Sequence, residues 1–399
     1  MKTSIHFKFI LFALFIFTFG CQNKTIQTEN NLTQLPLQDT EYNFSTEKIQ
    51  NSKSTFFFLR SFVDYFYLIA EQNQKNLPTL YSMTKHISFC AGDAHPENFG
   101  YVIQNNPTKT IFSINDMDDS GYCPIIFDLF RFMSASKIYK DDVSMNQIYD
   151  SYLSGLKENA MDTPLYLSKL KNESLKKGQL PSQKKIDNKK IKRTNSTTEV
   201  SNDIQLLIIS KIKKIYPQLK LIDIVEKSKV GGGSAGLTRY ELLMSDSKTN
   251  QLLILELKKQ ITPALYPISK ANPNSSHTNQ LKIDQRIKLT LNLEQGRSHS
   301  LFYNTLKLNE DEFLVRPLFS GDLGLELNDV PSEELQAVYN YEAYTLGQFH
   351  KRSLGHHSKK FISEMSQLNK NAFFTDIEKM SQFMTIKLKN LKKISDSFN

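Results

Sequence analysis

Apolar positions recur along this chain with two different spacings, and the switches between them mark out its elements. Residues 54–72 (STFFFLRSFVDYFYLIAEQ) are apolar on most sides and predict a buried helix. Short apolar runs at His86–Cys90 and Thr110–Asn115 predict strands. A helical spacing returns from about Ile126 to Tyr139, behind Pro124, and again from about Ser144 to Glu158. A further helix is predicted at about Asp203–Tyr216. Then strand-like runs take over. Leu219–Val230, the glycine-rich Gly231–Gly236, Leu237–Met244 and Gln251–Lys259 read as an antiparallel meander. Residues 279–294 predict a helix, and strands follow near 301–306 and 312–318. The remainder is mostly helical, as Glu333–Lys351, Lys359–Leu368 and Ala372–Lys393. No internal repeat is present. Helices plus one meander-like sheet make the expected fold class α+β.

Composition narrows the class. The chain has 399 residues, 39% apolar and 23% charged. That is enough to bury a sizeable core and too apolar for a disordered polymer. Gly and Pro are scarce, at 15 and 13, which excludes collagen-like and linker-like chains. The net charge is +9, a balance that invites a nucleic-acid or anionic-membrane reading. Its location changes that picture. Residues 169–193 hold ten Lys and Arg against two Asp and Glu, nearly the whole excess. Few apolar anchors interrupt them, so they read as a solvated linker or exposed loop. The rest of the chain is close to neutral and carries no zinc-finger, helix-turn-helix or aromatic-basic strand signature. No nucleic-acid partner is expected.

The N-terminus carries Lys2 and Lys8, then an apolar run from Phe9 to Phe19 broken only by Thr18. The run is too short for a membrane span of about 20 residues and suits the core of a signal peptide. Gly20-Cys21 closes it. A small residue before a Cys here resembles the bacterial lipoprotein cleavage site. It implies lipidation of Cys21, a polar tether over 21–45, and a protein held by acyl chains on a membrane of the cell envelope, periplasmic or outer-surface. An ordinary signal peptide or an uncleaved anchor is the alternative. The basic segment is expected to touch anionic head groups near that tether. The two remaining cysteines, Cys90 and Cys123, are too few for a disulfide scaffold and are expected as buried free thiols, with pairing in an oxidising compartment as the alternative. No CxxC or paired-His spacing is present, so no structural zinc is expected.

The chemistry concentrates in Ala91–Gly100, AGDAHPENFG, between one strand and the next. Asn115-Asp116-Met117-Asp118-Asp119 ends the following strand, and Phe127-Asp128-Leu129-Phe130-Arg131 heads a helix. Phosphoryl transfer needs such a set. One carboxylate orients the attacking hydroxyl, while an amide oxygen and further carboxylates hold magnesium against the phosphates. Asp93 suits the first role, with His95 beside it bracing the loop. Asn98 and Asp116 suit the second, with Asp118 for a second ion. Asp128, with Arg131, is structural support, and Asp128 at a helix start is most simply an N-cap. Gly231, Gly232, Gly233, Ser234 and Gly236 form a loop whose amides can approach phosphates closely. Lys258, at the end of a later strand, can reach the same phosphates.

Taken together, GDAHPENFG, INDMDD and FDLFRF resemble the GDxHxxN, IDFD-type and DLxR motifs of aminoglycoside-phosphotransferase-like kinases. The closer resemblance is to an uncharacterised bacterial family called domain of unknown function 2252. Its GDxHxxNFG, DFD-type, DLxR, GxGSxGxxR and strand-end Lys elements correspond to Gly92–Gly100, Asp116–Asp118, Asp128–Arg131, Gly231–Arg239 and Lys258. FFFLRSF around Arg60 resembles the family's FxFxRG element, with Ser61 in place of Gly. The resemblance covers about residues 50 to 355. It implies ATP and magnesium as cofactors and an unknown small-molecule or protein substrate.

In an ordinary kinase the glycine loop and Lys precede the catalytic loop. Here they follow it, which implies a circularly permuted protein-kinase-like fold, with a helical catalytic lobe and an antiparallel-sheet nucleotide lobe. The implied division is 46–168 for the catalytic-loop part of the helical lobe, 169–202 for the basic linker, 203–325 for the sheet lobe and 326–399 for helices completing the helical lobe. Phe313–Leu318 would lead to the hinge, and Leu346–His350 resembles the LAxLH helix of unpermuted relatives. The helix after Lys258 should supply a carboxylate to pair with it. Its candidates are Asp284 and Glu294. The functional expectation is an ATP- and magnesium-dependent phosphotransferase. The alternatives are a non-catalytic binding module on the same scaffold and a metal-dependent phosphoesterase, since Asp93-Ala94-His95 also matches a DxH metal element.

Overall fold

A computed structural model of the chain describes residues 37–397, apart from positions 40, 117, 230–235, 266, 269–280 and 297–298. The signal segment, Cys21, the tether as far as residue 36, and Gly231, Gly232, Gly233 and Ser234 lie outside the described residues. No helix among the described residues is long and apolar enough to cross a membrane.

Helix α1 covers Thr46–Asn51. The apolar stretch expected as one helix is two, α2 (Thr55–Ser61) and α3 (Val63–Gln72). The break falls at Phe62, whose ψ of 62° lies outside the helical range. Ser54 starts α2 by accepting from the Phe57 amide. After α4 (Pro78–Ser82) come four short strands, β1 (Ile87–Cys90), β2 (Phe99–Ile103), β3 (Thr110–Ile114) and β4 (Gly121–Pro124). β1 pairs antiparallel with β4, and β2 with β3. Helix α5 (Ile126–Tyr139) runs through the core with eleven buried residues. Helix α6 (Met145–Leu156) is capped by Ser144.

The basic segment is largely exposed, as expected, but it carries regular structure and is not a bare linker. Its first part lies in α7 (Leu165–Lys177), and its second forms a small hairpin of β5 (Ile186–Asp187) and β6 (Lys190–Ile191). Sparse anchors hold it. Leu167 and Ser174 are buried, and Ile191 packs with Val225, Leu243 and Ile254. Arg193 pairs with Glu199 and Asp223. Those carboxylates come from outside the segment, so its own composition does not reveal them.

After β7 (Thr197–Thr198) and α8 (Asn202–Ile215) come β8 (Leu219–Lys227), β9 (Arg239–Asp246) and β10 (Leu252–Lys259). Helix α9 (Ile283–Gln295), β11 (Asn304–Leu308) and β12 (Asp311–Pro317) complete this half. Six strands form one antiparallel sheet in the order β11-β12-β10-β9-β8-β7. Ile208 and Ile212 of α8 pack on Leu242, Leu255 and Leu257 in its core. A short β13 (Leu323–Gly324) then pairs with β2.

Helices α10 (Leu335–Leu354), α11 (Ser358–Gln367) and α12 (Lys370–Ser397) return to the helical body. Two glycines let α10 lie close along α6. A Cβ on Gly155 would sit 2.0 Å from the Tyr344 carbonyl oxygen, and one on Gly347 2.3 Å from that of Tyr152. Helix and antiparallel sheet thus share the chain, and the fold is α+β.

Cys90 and Cys123 are joined by a disulfide and are not free thiols. The β1–β4 register sets Cys123 opposite Ser88 and Cys90 opposite Gly121. The two Cα atoms lie 5.8 Å apart, within the reach of a bridge. The 33-residue separation hides this pairing from a linear reading.

Candidate functional site

β1 delivers the chain into the Ala91–Asp93 turn, and α5 holds that turn from below. The Asp128 carboxylate accepts from the amides of Ala91 at 2.6 Å and Gly92 at 3.0 Å. His350 Nε2 lies 3.0 Å from the same carboxylate, and Tyr152 braces the other ring nitrogen at 2.7 Å. Asp128 therefore does not cap its own helix. α5 begins at Ile126 with no side-chain cap, so the carboxylate is free to serve amides across the core. Gly92 has φ +88°, and a Cβ there would lie 1.9 Å from the Asp119 carbonyl oxygen. Only glycine fits.

Arg131, also on α5 and fully buried, binds Asp93 Oδ1 through Nε at 3.0 Å and Nη2 at 2.6 Å. Nη2 also donates to the Leu59 carbonyl. Burial pushes the Asp93 carboxyl up, but Arg131 and then His95 overcome it and hold it well below the usual carboxylate range. His95 lies 3.5 Å from Asp93 Oδ2; burial lowers its pKa, and Asp93 opposes that shift. Asn98 donates through Nδ2 to the Asp93 carbonyl at 2.8 Å. Its amide oxygen is the atom it has left for a cation.

The sheet supplies the opposite wall. Lys258, on β10 and 1% exposed, places Nζ 3.3 Å from both carboxylate oxygens of Asp116 and forms an ion pair with Asp118. Burial raises Asp116, but Lys258 and Arg316 pull it down to about 2. Burial lowers the Lys258 pKa, and Asp116 partly restores it. Neither expected helix carboxylate pairs with Lys258. Asp284 faces outward and pairs with Lys288 at 3.6 Å. The Glu294 side chain is buried with no hydrogen-bond partner for its carboxylate among the described residues, and burial pushes its pKa well above the carboxylate range. Asp119 accepts from the Ala264 amide at 2.8 Å. Burial and the Asp93 charge push it up to about 7.

Asp93, His95, Asn98, Asp116 and Asp118 all line one cleft of about 510 Å³. Lys185, Lys229, Arg60 and Arg316 give it a basic rim. Arg60 is paired with Glu97, Arg316 with Glu256, and Lys185 with Glu241. Gly236 has φ +79° and open space where a Cβ would stand. Among the described residues, Cys90, Cys123 and Asp128 form a cluster compact enough for a metal ion. It is not a site, because the sulfurs are bonded to each other and Asp128 serves Ala91, Gly92 and His350.

Residues 51–147 and 176–385 match the family described as "Uncharacterized protein conserved in bacteria (DUF2252)". The chain belongs to this family. Both matched blocks reach the cleft, the first with Arg60, Asp93, Asn98, Asp116 and Asp118 and the second with Lys185, Lys229 and Arg316. The unmatched stretch between them covers most of α6 and most of α7. No curated protein matches the chain, and no solved structure matches it.

Sequence reasoning missed Lys185, Lys229 and Arg316 as cleft residues. Lys229 stands just before the glycine run, and that position was a usable signal. Lys185 was lost in a run of similar lysines, and Arg316 in an ordinary strand pattern.

Proposed function

We propose that this cleft binds a magnesium–ATP complex and serves phosphoryl transfer to a hydroxyl-bearing substrate, in a kinase-like arrangement with its two halves in permuted order. The observation that carries this reading is that Asp116 and Asp118, which line one cleft with Asp93 and Asn98, are both paired with Lys258 buried behind them. Asn98, Asp116 and Asp118 offer the oxygen ligands that magnesium prefers, few enough to leave room for phosphate oxygens. When bound, the ion supplies neutralisation of charge on the phosphates. Lys258 is pinned on a strand and serves as a fixed counter-charge for them. Lys229 and Arg316 add positive charge at the rim. Asp93 is held anionic and nearly immobile by Arg131. It suits a group that orients the attacking hydroxyl and accepts its proton late.

The protein is proposed to act at the cell envelope, tethered through lipidated Cys21. The Cys90–Cys123 disulfide supports an exported chain, because such bonds persist in oxidising compartments. The same bond favours a second reading, a binding module on this scaffold without turnover, since ATP is scarce outside the cytoplasmic membrane.

A thermal-shift titration of the full chain with ATP, with and without magnesium, separates the readings. Phosphoryl transfer predicts a magnesium-dependent rise in the wild-type midpoint, lost in Asp116→Ala and Lys258→Ala but kept in Asp93→Asn. It also predicts nucleotide turnover that Asp93→Asn abolishes. Binding with no turnover in the wild type supports the second reading. No magnesium-dependent rise in the wild type sinks both.

A further inference from the structure

We propose that Arg286 is a positioning residue of this cleft. It takes the place of the helix carboxylate expected to pair with Lys258, and it locks α9 to the acidic loop so that Asp118 faces the lysine. This rests on the phosphoryl-transfer reading above and adds how the acidic pair is held. Arg286 is 4% exposed on the first turn of α9. Its Nη1 donates to the Asp118 carbonyl and, at 3.4 Å, to that of Ser120. Its Nη2 donates to Gln260 Oε1 at 2.9 Å. With that oxygen taken, the Gln260 amide turns its nitrogen to Asp118 Oδ1, also at 2.9 Å. The other carboxylate oxygen of Asp118 is then the one that meets Lys258. A relay thus runs from helix to lysine through Arg286, Gln260 and Asp118.

Charge explains why an arginine serves here. Asp116, Asp118 and Asp119 crowd one loop, and Lys258 already answers the first two. A helix carboxylate would add another acidic group to this crowd, whereas a guanidinium offsets it and bridges several acceptors with its planar fork. The contact extends along one face of α9 at helical spacing. Thr290, one turn on, bonds Ser120 at 2.7 Å, and the Glu294 carbonyl, another turn on, accepts from Ser113 at 3.1 Å. The loop in turn lies backbone against backbone on the Asp93 turn, at the Gly92–Asp119 contact. A shift of α9 is therefore a shift of Asp118, and the Asp93 turn abuts the same loop.

Hydrogen exchange on the full chain, with no ligand added, tests this directly. Arg286→Met keeps the length of the side chain and removes its donors. It should speed exchange of the 118–121 amides about tenfold or more, and Gln260→Leu should act in the same direction. Arg286→Lys, which keeps one donor and the charge, should recover part of the protection. Exchange in α12 serves as the control for folding. If Arg286→Met fails to fold, Gln260→Leu and Arg286→Lys carry the test. In a magnesium titration of the ATP-induced thermal shift, the half-saturating magnesium concentration should rise about tenfold in Gln260→Leu. Unchanged loop protection in folded Arg286→Met or Gln260→Leu overturns the proposal. A wild type that shows no magnesium–ATP shift overturns instead the reading beneath it, and that failure is seen before any variant is made.

Discussion

Two half-buried carboxylates of the cleft show how local partners decide charge. At Asp93 burial opposes ionisation, and the Arg131 guanidinium at 2.6 Å outweighs it, so the charge persists. At Asp322 burial meets weaker opposition. The Ile103 and Phe319 amides and the Arg316 charge only partly offset it, and the pKa rises from 3.8 to about 6. The sign of the linkage follows. A carboxyl raised in the folded state contributes stability that is fully present below its unfolded pKa, and that contribution is lost as pH rises through about 6. Asp322→Asn should therefore gain on the wild type in melting midpoint between about pH 4 and pH 7. Thermal melts at the two ends check this, and a pH-independent difference refutes it. Asp93, Asn98, Asp116, Asp118 and Lys258 were legible in the sequence because they stand in polar clusters at the ends of apolar runs. Asp322 and Arg286 were not. Their partners lie up to 219 residues away, and nothing in the neighbouring residues signals them.

At the scale of elements, side-chain pattern and backbone contact tell different stories. The spacing of apolar residues predicted α5 to its ends, because a helix buried on nearly every face carries a strong signal. It ran α2 and α3 together, since a break at a buried Phe leaves no polar mark in the sequence. It read the basic segment by its average, although Leu167, Ser174 and Ile191 are enough to fix α7 and the β5–β6 hairpin. The α6–α10 crossing is set by glycine. Gly347→Ala puts a methyl against backbone that cannot move without unseating the helix. An overpacking cost of about 1–3 kcal/mol is expected, read as a lower urea midpoint with an unchanged slope. Gly355→Ala is the contrast, since a Cβ there meets open space and only its φ of +53° opposes substitution.

At the scale of the molecule, the helical body is built from both ends of the described chain and the sheet from its middle. The disulfide ties together the strands that carry the two acidic loops, β1 before Asp93 and β4 after Asp119. By loop-closure entropy, a bridge across 33 residues contributes about 3–4 kcal/mol. Replacing both cysteines by alanine should lower unfolding free energy by about that amount, and a reducing agent should shift the wild type but not the variant. Equal stability with and without the bridge would refute this. What the sequence determined alone was the class of each strongly periodic element, the α+β composition and the acidic and amide groups of the cleft, because each is encoded by neighbours a few positions apart. Only the tertiary structure decided the Cys90–Cys123 bond, the carboxylates that answer Lys258, the ordering of the basic segment and the partners of Arg286. Those depend on which distant segments meet. Burial then sets the strength of each charge by excluding water, and no local stretch of sequence records that.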